Sequence, residues 1–80
     1  MPKKSNSENI VDLQMKCIGI KIRILRKKEI QNYEKWAFMH DINKVTLNRV
    51  ERGENVTMKM LLEIILELNQ TPEVFFKHIF

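Results

Sequence analysis

Lys44 and Arg49 lie on a stretch, Asn43 to Arg52, where Leu47 and Val50 recur at helical spacing. On a helix the two apolar residues would bury one side and leave Lys44, Val45, Asn48 and Arg49 pointing outward. This set is suited to recognition rather than to bond breaking. Lys44 and Arg49 can donate to guanine O6 and N7, Arg49 through two parallel bonds, and Val45 can pack on a thymine methyl. The bland alternative is a face of solvated charges. Residues for catalysis or metal binding are not assembled in the same way. His40 and His78 have no Cys or His partners at metal spacing, and Cys17 sits on an apolar stripe without a nearby base. Glu8 and Asp12, at helical spacing, make an ordinary acidic face. The expectation is therefore no enzyme, no metal and no cofactor.

The elements that must position these residues occupy Asn32 to Gly53, which reads as two short helices joined by a tight turn. The first is expected over Tyr33–His40 with Asn32 as its N-cap, the second over Lys44–Arg52 with Asn43 as its cap. Ala37 is small enough for a crossing helix to approach closely. Asp41, at the turn, is a residue type that tolerates left-handed backbone. Gly53 ends the second helix. Such a unit suits presentation of its second helix to the major groove of DNA.

Three further features bear on this segment: the run IGIKIRILRKK from Ile18, the Leu25–Arg26 pair within it, and the V-E-R-G of Val50 to Gly53. With the two-helix unit, the chain resembles the lambda-repressor-like (Xre/Cro-type) helix-turn-helix family. The resemblance runs from near Ile18 to near Phe76, roughly three quarters of the chain. It implies an all-α, compact five-helix domain with a central helix-turn-helix, its recognition helix 44–52 in the major groove of double-stranded DNA. Base contacts would come from Asn43, Lys44, Val45, Thr46, Asn48 and Arg49. Phosphate contacts would come from Asn32, Tyr33, Arg52 and Asn55. Tyr33 stands where the family usually has Gln; its hydroxyl can still donate to a phosphate. Arg26 and Glu51 match the family's internal ion pair. Ile30 stands where Gly commonly ends the first helix, so the loop either takes another path or carries strain. Gln31 replaces a usual apolar residue, whose place Ile30 can fill, and the loop after Gly53 is about one residue short of the family's usual length.

The N-V-T-M-K segment from Asn55 to Lys59 and the V-F-F near the end also resemble restriction–modification controller proteins, which are small dimeric relatives. That resemblance implies a small homodimeric transcriptional regulator. Of Phe75, Phe76, Ile79 and Phe80, one or two are expected to complete the core, and the interface is expected to draw on the remainder with Ile20 and Ile24. The rival reading is a protein-interaction module, such as an antitoxin whose C-terminal aromatic surface holds a toxin and for which DNA is secondary.

Eighty residues make one small domain. Two Gly and two Pro leave little material for hairpins, and runs of Ile, Leu, Met, Lys and Glu favour helices. Fourteen Lys plus Arg against ten Asp plus Glu give a net charge of +4, compatible with a nucleic-acid partner. A lone cysteine excludes an intrachain disulfide and fits a reducing cytoplasm. Neither a transmembrane run nor a signal-peptide core is present, so a cytoplasmic protein is expected. Residues 1–9 read as a flexible tail, either inert or a basic arm through Lys3 and Lys4, with Ser5 and Glu8 spaced for a capping box. The domain proper is expected over 10–80.

From Ile10 the first helix carries two apolar stripes. Val11, Met15, Ile18, Ile22 and Leu25 form one; Ile10, Leu13, Cys17, Ile20 and Ile24 form the other. One stripe suffices for a small core. The surplus points either to a second contact or to a helix that breaks at Gly19. A later helix is expected over Met58–Leu68, capped by Thr57 and burying Met58, Leu61, Leu62, Ile65 and Leu68. Pro72 starts a last short helix after Thr71.

Overall fold

A computed structural model describes residues 6–77 and Ile79, with the side chains of residues 6–8 outside that description. The described residues form five helices: α1 (Asn6–Glu29), α2 (Tyr33–Met39), α3 (Lys44–Glu51), α4 (Met58–Glu67) and α5 (Pro72–Lys77). No strand occurs among the described residues. No helix among them is long and apolar enough to cross a membrane. The fold is all-α.

The helix boundaries follow from local chemistry. Asn32 Oδ1 accepts from the Lys35 amide, Asn43 Oδ1 from those of Val45 and Thr46, and Thr57 Oγ1 from Met60. Thr71 Oγ1 accepts from Val74, with Pro72 opening α5. Each side chain satisfies amides that a helix start leaves without partners. Three of the helices end alike. Asp41 (φ 55), Gly53 (φ 75) and Asn69 (φ 60) adopt the left-handed conformation just past α2, α3 and α4. The following amides, those of Ile42, Glu54 and Gln70, reach back to the carbonyls of Ala37, Arg49 and Ile65. This closure turns the chain sharply without leaving terminal carbonyls open.

α1 is one continuous helix of 24 residues through Gly19, not two pieces. It starts at Asn6, four residues inside the segment expected to be tail; residues 1–5, with Ser5, Lys3 and Lys4, lie outside the described region. Its inner stripe enters the core from Met15 onward, where Ile18 and Ile22 are buried, whereas Val11 is exposed. Gly19 has a packing reason. A Cβ there would stand 2.5 Å from the Val50 carbonyl oxygen and 2.7 Å from that of Glu51. A Cβ on Gly53 would stand 2.8 Å from Lys16 Cα. Both glycines of the chain thus sit where α1 and the end of α3 meet backbone to backbone.

The core closes around Trp36, Leu47, Ile64, Ile65 and Phe75, all fully buried, with Ala37 beneath the crossing of α2. The expected inward set of α4 is corrected here. Met58 is exposed and Leu62 only half-buried, because α4 turns Leu61, Ile64, Ile65 and Leu68 inward as one i, i+3, i+4, i+7 set. Ile30 avoids positive φ. Its amide continues the helical bonding to the Arg26 carbonyl at 2.8 Å, and its side chain packs against the core.

Replacing Gly19 by Ala adds helix propensity of about 0.5–1 kcal/mol but forces backbone off backbone. The clash should win, with a net loss of about 1–3 kcal/mol. A urea midpoint equal to or above that of the unmodified chain would show that α1 and α3 can separate freely.

Candidate nucleic-acid interface

α3 is anchored by Leu47 and Val50, which leaves Lys44, Val45 and Arg49 exposed on its far side and Thr46 and Asn48 half-buried at the margins. Asn43, at the helix start, uses its carbonyl oxygen as the cap, leaving its amide nitrogen to donate elsewhere. These six residues lie on one helix and its cap, as the sequence reading required. An open depression of about 360 Å³ adjoins them, lined by Thr46, Arg49, Asn55, Val56, Thr57 and Met60. It brings Asn55, expected at a phosphate, beside the outward face of α3 and the start of α4.

The cations are partly engaged. Lys44 Nζ donates to Glu34 Oε2 at 3.0 Å, and this bond holds the Lys44 ammonium above its ordinary pKa. Arg49 Nε lies 3.5 Å from Glu54 Oε1, and Arg52 pairs with the other oxygen of the same carboxylate. All five side chains are well exposed. Pairs of this kind contribute little and exchange readily with other anions. Glu34 and Glu54 were not singled out from the sequence. Glu54 follows Arg52 by two residues, a usable hint, but Glu34 meets Lys44 only through the turn. Asn32 is exposed at the start of α2 while Tyr33 is half-buried against the core.

The orientation of α3 is set from behind. Arg26, 3 % exposed, donates from Nε to Glu51 Oε2 at 2.9 Å and from Nη2 to Oε1 at 2.7 Å. Its Nη1 reaches the carbonyls of Ile30 and Gln31, so the same guanidinium closes the end of α1 where a left-handed glycine is missing. Among the described residues no buried side-chain nitrogen or oxygen lacks a partner. A second network ties α2 in place. His40 Nε2 meets Glu29 at 2.6 Å and Nδ1 meets Glu67 at 3.0 Å, and its ring stacks on Trp36 at 4.1 Å. Trp36 Nε1 donates to the other oxygen of Glu29 at 3.0 Å. Burial alone would lower the His40 pKa, but the bonds to the two carboxylates outweigh it and the value is raised. The Trp36 bond, with help from His40, holds Glu29 below its ordinary value.

The residues expected to pair two copies divide. Ile20 and Ile24 are exposed, and Phe76 and Ile79 half-buried. Phe75 is 0 % exposed, its ring enclosed by its own core, and has no surface to offer a partner. Phe80 and His78 lie outside the described residues. Compared with protein-family models, with curated proteins and with solved structures, the chain matches none.

Two tests follow from the networks behind α3. Glu51→Gln should cost about 3–5 kcal/mol, since it leaves the Arg26 guanidinium buried without its counter-charge; chemical denaturation measures this. The His40 contribution has a defined sign. Its folded pKa is raised, so the stabilisation is fully present below the ordinary imidazole value of 6.5 and is lost as pH climbs through the folded value. Glu29 is depressed, so its share is present above the ordinary 4.5 and lost as pH falls through its lowered value. The stability gap between the unmodified chain and His40→Gln should therefore be widest between the lowered Glu29 value and 6.5, and shrink as pH climbs through the raised His40 value. A gap that grows toward alkaline pH would contradict the bridge.

Proposed function

We propose that this chain is a lambda-repressor-like, sequence-specific DNA-binding regulator that inserts α3 into the major groove. The observation that carries the reading is the outward face of α3. Lys44, Val45 and Arg49 project from a helix whose position is fixed by buried Leu47 and Val50 and by the Arg26–Glu51 pair. Base reading needs side chains held in place by the scaffold, while phosphate contacts need cations that can leave their present partners. α3 has the first, and Arg52 supplies the second through an exposed pair, while the equally exposed pairs of Lys44 and Arg49 can open for base edges. In this reading α2 and α3 are the helix-turn-helix, turning at left-handed Asp41, and Asn32, Tyr33, Arg52 and Asn55 touch the backbone of the duplex. The protein would work in the cytoplasm, and its effect on transcription would come from occupancy of an operator. Pairing of two copies would place half-sites about 34 Å apart. With Phe75 buried, that pairing falls to the end of α5, where Val74 is exposed and Phe76 and Ile79 are half-buried. The same burial weakens the toxin-holding alternative, which relied on a larger C-terminal aromatic surface.

The deciding measurement is a fluorescence-anisotropy titration on DNA from upstream of the chain's own gene, against a shuffled duplex, at two salt concentrations. A preference of about a thousandfold is expected for a specific regulator; equal, steeply salt-dependent binding to both would reduce the interaction to backbone charge. Arg49→Ala should cost about 1–3 kcal/mol on the preferred duplex and little on the shuffled one. Glu54→Gln should do the reverse in kind. It frees Arg49 and Arg52 and removes a carboxylate facing phosphate, so both duplexes should bind several-fold tighter. No change on either would place Glu54 away from the DNA.

A further inference from the structure

α1 keeps a second apolar stripe that its own fold does not cover. Ile10, Leu13, Ile20 and Ile24 are 51–62 % exposed and Cys17 is exposed between them. Their spacing is three, four, three, four, the repeat of a coiled-coil seam, and at 100° per residue they fall within about 80° of arc. Next to the lower half of this seam runs an open cleft of about 260 Å³, lined by Cys17, Ile20, Lys21, Ile24 and Ile79. The upper half, around Ile10 and Leu13, extends beyond the core altogether, since residues 9–13 are all exposed. Five apolar side chains aligned in one exposed row form a contiguous patch rather than scattered surface residues, and such patches mark interaction surfaces.

The flanking charges say what kind of partner fits. Lys16, Arg23 and Lys27 border the seam on one side, Lys21 and Lys28 on the other, and Asp12 is the single acidic residue between positions 9 and 28. Lys21 is already engaged, its Nζ donating to the Phe75 carbonyl at 2.6 Å and lying 4.7 Å from the centre of the Phe75 ring. Lys16, Arg23 and Lys28 are exposed, and no acidic side chain among the described residues pairs with them. Pairing with a second copy sets like charges together in either direction. In a parallel pair Lys16 would face a second Lys21, and Arg23 a second Lys28; in an antiparallel pair Lys16 would face a second Arg23. Such flanks select against self-pairing and for a helix of opposite charge. A membrane surface fits less well, because the seam is narrow and closely bounded by charge, whereas interfacial helices use a broad apolar face.

We infer that the outer seam of α1 docks a partner protein's amphipathic helix, with apolar residues at heptad spacing and acidic residues beside them. This docking leaves α3 open to DNA, since it uses the side of α1 turned away from α3, although its cleft shares Ile79 with the pairing surface proposed above. The test uses the full chain and two synthetic 28-residue helical peptides. Both carry Ile and Leu at seam positions; one has Glu and the other Lys at the flanking positions. Vesicles containing one-third anionic lipid form a third arm. The Glu peptide should bind at least about tenfold tighter than the Lys peptide. Leu13→Lys, at an exposed site with unchanged thermal midpoint, should lose that binding. Lys16→Glu with Arg23→Glu should reverse the preference between the peptides. Absent or equal binding of the two peptides would overturn the proposal. So would vesicle binding without peptide selectivity, or a homodimer in analytical ultracentrifugation that Leu13→Lys dissolves. Because DNA binding is read separately by anisotropy, its failure and the failure of this docking are distinguishable.

Discussion

Everything in this fold hangs on how closely α1 approaches the end of α3. Gly19 lies against the carbonyls of Val50 and Glu51, and Gly53 against the backbone of Lys16, at distances no side chain would allow. Two backbones in contact leave few ways to slide, so the crossing is set by shape before any side chain is counted. The Arg26–Glu51 pair lies in the same contact and adds direction. Burying these charges gains little net stability over an apolar replacement, since their desolvation offsets most of the attraction. What the bidentate geometry adds is a requirement that α1, the 30–31 connection and the last turn of α3 keep one arrangement together.

A contrast in burial then separates charges that build the domain from charges that remain available. Arg26 and Glu51 are 3 % and 7 % exposed at their side chains and cannot exchange partners without unfolding the contact. Lys44, Arg49 and Arg52 are all more than half exposed and hold surface carboxylates that water screens. The His40 network falls between. It joins the ends of α1, α2 and α4 through one imidazole, so the short α2, only seven residues, borrows rigidity from two longer neighbours. A helix of that length has no stability of its own in water.

How much of this was legible depended on the range of the interaction. Asn32, Asn43, Thr57 and Pro72 could be read as helix starts because a cap acts within three residues. Asp41 and Gly53 could be read as turns for the same reason. Asn69 does the same work after α4 but was not read, because asparagine enters the left-handed region less distinctively than glycine. The inward face of α4 was misphased at Met58 because apolar residues fill all of the helix surface except the strip of Lys59, Glu63 and Glu67, and only the neighbours decide which part of that wide face goes in. Arg26 with Glu51 came from a pattern across twenty-five residues that a resemblance supplied. Glu29, His40 and Glu67 had no pattern at all; three helix ends must converge before their spacing means anything. One or two of the four apolar residues near the end were expected to complete the core, and Phe75 does so; which of them turns inward and which stays for an interface depends on how α5 packs, and nothing local decides it.

α1 shows why a small domain can carry more apolar surface than it buries. Its inner stripe becomes useful only from Met15, where it meets the core, whereas the outer stripe runs from Ile10 to Ile24. If the outer residues served the core, they would begin and end where the core does. They begin earlier, at Ile10, and stay exposed along the whole length to Ile24. The lysines and arginine beside them are also unneeded by the core, apart from Lys21, which the Phe75 carbonyl and ring have taken. A helix that faces its own domain with one apolar row and carries a second, uncovered row at coiled-coil spacing is built to two specifications, and the second is that of another helix.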